Sequence, residues 1–200
     1  QVDIAPIAEW CRDDEFRTRI ANLYGPTETT DVATARILDD PLEFLHGHVP
    51  IGVSIPDVHV MVLDRHLQPV PPGVPGELYV GGTCICLGYV AAPRQTAARF
   101  LPDPWATEPG RRMYKTGDAA RFLPDGTFEY LHRLDHQVKI RGFRIELGEI
   151  EVVLRRHPKV RDAVVVALGD GRDKRLAAYA AIGAETIEPA ELAAFLAEHV

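Results

Sequence analysis

The chain has 200 residues, 46% of them hydrophobic and 26% charged, with a formal net charge of -7 and no run of Lys or Arg. That is ordinary globular composition, long enough for one large or two small cores, and it argues against a nucleic-acid or anionic-membrane partner. No apolar stretch spans a bilayer, the opening "QVDIAPIAEW" lacks the pattern of a signal peptide, and the three cysteines, Cys11, Cys84 and Cys86, show no framework spacing, so a cytoplasmic location is expected.

Residues 5–17 read as a short helix, with Ile7, Trp10 and Cys11 at i, i+3, i+4. The stretch "TRIANLY" reads as a strand, and Gly25-Pro26 breaks it. Thr27 and Glu28 of "NLYGPTETT" then sit on a loop just past a strand end, where open α/β sheets hold their ligands. A hydroxyl can bond a phosphate oxygen and a carboxylate can bind Mg²⁺; an ordinary turn with solvated polar residues explains the same stretch equally well. "HGH" at His46 to His48 reads as a turn rather than a metal site, because no second ligand pair follows at a suitable spacing.

From Pro50 to Gly82 the chain alternates and turns. "DVHVMVLD" puts Val58, Val60 and Val62 on one face, "PVPPGVPG" is a rigid connection, and "ELYVGG" is another strand. These short strands predict a small barrel or folded sheet. Cys84 and Cys86 read as two small apolar residues on one face of a strand. "RQTAARF" is a short helix stopped by "LPDPW". "RMYKTGDAARFLPDGTFEYLHR" reads as strand, tight break, strand, Pro-Asp-Gly turn, strand.

After Asp135 strands and helices alternate, as in a small α+β unit, which puts a domain boundary there. "QVKIRGFRI" reads as a hairpin around Arg141-Gly142. "ELGEIEVVLRRHP" is a helix with Ile150, Val153 and Leu154 on its apolar stripe. "VRDAVVVAL" and "KRLAAYAAI" are strands, and "EPAELAAFLAEHV" is a helix with Leu192, Phe195 and Leu196 inward. Both ends read as cut, as in a piece of a larger protein.

Four stretches, "NLYGPTE", "GELYVGG…LGY", "YKTGD" and "RLDHQVKIRGFRIELGEIE", occur in that order. Together they resemble the adenylation domain of nonribosomal peptide synthetases, within the adenylate-forming superfamily. "YGPTE" alone would also fit acyl-CoA synthetases and luciferases, whereas "QVKIRGFRIELGEIE" is much more specific to the peptide-synthetase branch. The resemblance implies α/β plus α+β architecture. Residues 1 to about 40 would end a large α/β subdomain, a β-barrel-like part would run to 134, and 135–200 would be a hinge and partial C-terminal lid. It also implies an amino-acid-activating ligase that makes aminoacyl-AMP and pyrophosphate from an amino acid and MgATP. The acyl group then passes to the phosphopantetheine thiol of a carrier domain, in antibiotic or other secondary-metabolite synthesis. The rival readings are an acyl-CoA or aryl-acid ligase and a non-catalytic nucleotide-binding or docking module.

The same resemblance assigns roles. Asn22 and Tyr24 would hold adenine, Thr27 would contact the α-phosphate, and Glu28 would coordinate Mg²⁺. Asp118 would accept from both ribose hydroxyls, with Tyr130 and Arg133 closing on the nucleotide. Asp135 matches the hinge, and Lys139 matches a lid lysine that meets the nucleotide or substrate side, although a solvated strand lysine is the plainer reading. Leu23, Asp31 and Val32 match positions lining the substrate pocket. A buried Asp31 would favour a polar or cationic substrate side chain, and a solvent-facing one would not. His132 departs from the family, which usually has Gly before the hinge arginine; a Cβ there would restrict a turn of positive φ. The family's Gly/Ser/Thr-rich phosphate loop, α-amino anchor and adenylating lysine have no counterpart in these 200 residues. The implied partners are the amino acid, a peptidyl carrier domain, a neighbouring condensation domain and an MbtH-like activator at the "QTAARF" segment.

Overall fold

The computed structural model describes residues 2–13, 15–135, 137–140, 143–169, 173–183 and 186–199, apart from the side chains of Lys139 and Arg144. The chain divides into two units, 1–134 and 135–200. No helix of the described residues is long and apolar enough to cross a membrane.

The first unit opens with a 3₁₀ turn, Ala5–Ile7, and a four-residue helix α1, Ala8–Cys11. The longer helix expected over 5–17 does not form. Asp13 ends it: its side chain accepts from the Glu15 amide, a local bond that competes with helix propagation. Trp10 stays 54% exposed, with its ring edge-on to Phe16 at 4.9 Å, while Ile4, Leu38 and Val49 make the local core.

Strand β1, Ile20–Tyr24, pairs antiparallel with β2, Thr34–Leu38, which pairs with β3, Val53–Ser54. The second sheet holds β4, Val58–Leu63; β5, Gly76–Gly82; β6, Phe100–Pro102; β7, Arg112–Phe122; and β8, Phe128–Arg133. The order is β4-β5-β7-β6, with β8 also on β7. Every pairing is antiparallel and the sheet is open, the folded sheet of the two expected forms rather than the barrel. Alternation does fix its inner face. Val58, Val60 and Val62 are buried with Leu78, Val80, Ala120 and Phe128. The two sheets are tied where Ile51 and Phe128 donate in turn to the Phe128 and Gly52 carbonyls, each at 2.8 Å.

Three expectations need correction. "RMYKTGDAARF" is one continuous strand, β7, rather than two strands with a break. The glycine becomes a bulge instead: Tyr79 pairs with Lys115 and Glu77 with Ala119, so three β7 residues oppose Leu78. Cys84 and Cys86 are not on a strand. At Gly82, φ is +114, and a Cβ there would lie 2.2 Å from the Asp57 carbonyl oxygen. The strand ends there, and the loop that follows leads into α2, Pro93–Arg99. His132 is an exposed β8 residue opposite Ala119, and it is not among the non-glycine residues of positive φ. Its Cβ therefore restricts nothing. His132→Gly is expected to lower stability by about 0.5–1 kcal/mol, the entropic cost of glycine in a strand, read as a shift in the denaturant midpoint.

The second unit has a hairpin of β9, Gln137–Ile140, and β10, Phe143–Glu146, whose expected turn at Arg141-Gly142 lies outside the described residues. Helix α3, Leu147–Arg155, leads to an antiparallel pair, β11, Val160–Leu168, and β12, Arg175–Ile182, and then to α4, Pro189–His199. Leu147, Leu154, Val160, Ala163 and Val165 form its core, with Ile150, Leu192 and Leu196 packed on it. Phe195 is half-buried and takes the His157 ring edge-on at 4.9 Å.

Candidate functional site

The bulge in β7 is built by its own sequence. At Gly117, φ is +76, a conformation that favours glycine. Thr116 repairs the interrupted ladder: its Oγ1 donates to the Leu78 carbonyl at 2.8 Å and accepts from the Asp118 amide at 3.0 Å. The Gly117 amide is taken by Glu77 Oε1 at 3.2 Å. The result aims Asp118 into a buried cluster, where it is 5% exposed.

Three of the sequence motifs meet at that carboxylate. The Tyr24 hydroxyl, at the end of β1, donates to Oδ2 at 2.5 Å. Arg133, directly opposite on β8, donates from Nη1 to Oδ1 at 3.1 Å and to the Thr116 carbonyl at 3.0 Å. Burial, and then the Asp118 carboxylate beside it, push the Tyr24 phenol well above its ordinary pKa. It therefore stays a donor at working pH. Tyr130 lies alongside, its ring centroid 6.5 Å from that of Tyr24. Asn22 is buried, and its Nδ2 donates to the Pro50 carbonyl at 2.8 Å and, at 3.4 Å, to that of Val49. Its donors are thus spent on the backbone, and Oδ1 is the atom that suits a further donor.

After Tyr24 the chain makes a tight turn. Thr27–Thr29 is a 3₁₀ turn, and Thr30 and Asp31 follow with φ of +55 and +77. Such strain in non-glycine residues persists only where the surroundings hold it. Here the loop after β5 does so. Thr30 Oγ1 donates to the Cys84 carbonyl at 2.7 Å, and the Cys86 amide donates to the Glu28 carbonyl at 3.0 Å. Arg112 pins that loop from behind, through the Cys86 and Leu87 carbonyls at 3.1 and 3.0 Å. Thr27 is exposed. Glu28 is 7% exposed, and its Oε1 accepts from the Tyr89 hydroxyl at 2.7 Å. Tyr89 and Tyr114 approach at 3.3 Å between hydroxyls, and both rings pack on Phe100.

Of the other sequence candidates, Leu23 and Asp31 are exposed and Val32 is half-buried, so the burial that would tie Asp31 to a cationic substrate is not observed. Asp135 and Lys139 belong to the second unit. Asp135 Oδ1 accepts from the Gln137 amide at 3.3 Å, and Lys139 lies on β9 opposite Arg144, with its side chain outside the described residues. Tyr89, Tyr114, Thr116 and Arg112 were missed as site residues. Tyr89 ends "LGY" and Tyr114 and Thr116 open "YKTGD", so the signal lay in the motifs themselves. A cleft of about 320 Å³ lined by His59, Trp105 and Arg111 contains none of these residues.

Comparison with known proteins agrees with this geometry. The AMP-binding enzyme family matches residues 5–90. The Dimodular nonribosomal peptide synthase of Bacillus subtilis (strain 168) is 48% identical over 201 residues, covering 100% of this chain and 8% of the relative. Malpibaldin synthetase of Mortierella alpina is 50% identical over 188 residues, 92% of this chain and 3% of that protein. The chain thus spans less than a tenth of these relatives. Among solved structures, NpsA-ThdA, an artificially fused adenylation-PCP di-domain of Klebsiella oxytoca, superposes with a TM-score of 0.74 at 31% identity, over 92% of this chain and 34% of that one. The chain belongs to the AMP-binding enzyme family, in the branch formed by the adenylation domains of nonribosomal peptide synthetases.

Proposed function

We propose that the chain supplies the nucleotide-holding face and the hinge of an amino-acid-activating ligase. The reaction is attack by the amino acid carboxylate on the α-phosphorus of ATP, giving aminoacyl-AMP and pyrophosphate. The acyl group then moves to the phosphopantetheine thiol of a carrier domain. The observation that carries this reading is the convergence of Tyr24, Arg133 and Asp118 from three separate motifs on one buried carboxylate. A carboxylate has about four acceptor sites, and these partners use two. The remaining sites suit the two ribose hydroxyls. Tyr24 and Tyr130 offer ring faces to adenine, and Asn22 Oδ1 suits its exocyclic amine.

Glu28 fits a magnesium site in its donor chemistry. No three His, Cys, Asp or Glu converge among the described residues. Mg²⁺ is commonly held by one or two carboxylates, with phosphate oxygens and water completing an octahedron. Glu28 would be the carboxylate, and the ion, when bound, would neutralise phosphate charge. Thr27, exposed one residue earlier, would meet the α-phosphate. Glu28→Gln in the full-length protein is expected to raise the Mg²⁺ needed for half-maximal exchange activity, since the amide keeps the shape and loses the charge. A titration identical to wild type would remove Glu28 from the metal site.

In this reading Asp135 is the hinge, Lys139 acts from the lid, and Leu23, Asp31 and Val32 edge the substrate pocket. A peptidyl carrier domain and a neighbouring condensation domain are the partners, in the cytoplasm, and α2 is the contact for an MbtH-like activator. Amino-acid-dependent exchange of pyrophosphate into ATP, measured on the full-length protein across amino, aryl and fatty acids, is the test. Exchange with acids other than amino acids would favour an acyl-CoA or aryl-acid ligase, and no exchange at all would favour a docking module.

A further inference from the structure

The geometry points to Tyr89 as a positioning residue for Glu28, held by helix α2 so that one carboxylate oxygen is fixed while the metal is bound. The inference rests on the reading of Glu28 as the metal carboxylate.

Tyr89 is built into place from both sides. Its amide donates to Thr96 Oγ1 at 2.9 Å, and that hydroxyl donates in turn to the Ala92 carbonyl at 3.0 Å, at the start of α2. Gly88 lets the chain press this close. Its φ is +138, and a Cβ there would lie 2.4 Å from Thr96 Cγ2. The Tyr89 ring stands edge-on to Phe100, with centroids 5.5 Å apart, and the Arg112 guanidinium covers that phenylalanine at 5.4 Å. With backbone and ring both fixed, the hydroxyl has one place to go, and Glu28 Oε1 is there at 2.7 Å.

The proton count gives the arrangement a direction. A phenol has one proton, and Tyr89 gives it to Glu28. The Tyr114 hydroxyl lies 3.3 Å from the same Tyr89 oxygen and flanks the contact. A hydrogen bond to the charged form of a carboxylate favours that form, which is the form a hard cation needs. The Tyr89 bond thus adds to what holds this buried carboxylate in place.

The test measures ATP affinity by calorimetry on the full-length protein at a series of free Mg²⁺ concentrations, without turnover. Tyr89→Phe, which keeps the ring, is expected to raise the half-saturating Mg²⁺ about tenfold, the scale of one hydrogen bond to a charged group. The unfolding midpoint should stay near wild type. Because Tyr89 acts through Glu28, adding Tyr89→Phe to Glu28→Gln should produce little further shift. Val90→Ala, at the next position of the same loop but 97% exposed, should leave the curve unchanged. If Glu28→Gln shifts the Mg²⁺ curve and Tyr89→Phe does not, the positioning role is wrong and the metal reading stands. Fully additive shifts would mean that Tyr89 acts elsewhere. If Glu28→Gln itself leaves the curve unmoved, the metal reading fails and this inference with it.

Discussion

Asp118→Ala in the full-length protein is expected to raise the KM for ATP roughly 100-fold or more while changing the KM for the amino acid far less. Each hydrogen bond to a charged acceptor contributes about 1.5–3 kcal/mol, and 1.4 kcal/mol is a tenfold change in affinity. The substitution removes the acceptor proposed for both ribose hydroxyls. It also strips the Tyr24 hydroxyl of its Asp118 acceptor and takes the Asp118 carboxylate from Arg133, whose side chain is 20% exposed. Some stability is lost as well, because removing one member of a buried ion pair is costly. Asp118→Asn separates the two effects. It keeps volume and one oxygen, so it should fold more nearly as wild type and still bind ATP less well. Unchanged ATP dependence in both variants would remove Asp118 from the nucleotide site.

The parts of this molecule that were legible in sequence are those governed by local rules. Alternation placed Val58, Val60 and Val62 inward, and the 3.6 period gave α3 its stripe of Ile150, Val153 and Leu154. The motifs gave Tyr24, Glu28, Asp118 and Arg133 as candidates, but not their contacts. What failed was decided by side-chain bonds and by partners distant in the chain. The helix over 5–17 had the right spacing, yet Asp13 ends it locally and Trp10 stays 54% exposed, so no packing extends it. "YKTGD" looked like a break because glycine usually ends a strand. Only the pairing with β5, and the Thr116 bond to Leu78, turn the glycine into a bulge within a continuous strand. Tyr89 lies 61 residues from Glu28, so no local pattern could join them.

Gly25 shows the same principle from the backbone side, and its substitution should have the second large effect. Its φ is not positive, so conformational freedom is not why glycine stands there. The reason is contact. A Cβ would lie 2.4 Å from the Asp31 carbonyl oxygen and 2.8 Å from the Ala33 amide nitrogen, and both are backbone atoms that cannot swing aside. That amide closes the turn by donating to the Tyr24 carbonyl at 2.7 Å, and the Pro26 carbonyl closes it again by accepting from Thr29 at 2.9 Å. A methyl group must therefore push the returning chain outward. The strained Thr30 and Asp31 would move first, and Glu28, held between this turn and Tyr89, would lose its fixed place. Gly25→Ala is expected to cost about 1–3 kcal/mol of stability, the range for overpacking a filled site. Exchange activity should fall at least roughly tenfold in kcat/KM, since small displacements of positioning groups are costly in rate. Gly47→Ala is the matched comparison. Nothing lies within 4 Å of its added Cβ, so its midpoint should stay within about 0.5 kcal/mol of wild type. Chemical denaturation and pyrophosphate exchange on both variants decide the matter. A Gly25→Ala protein as stable and as active as Gly47→Ala would show that the turn relaxes freely and that its close approach does not set the position of Glu28.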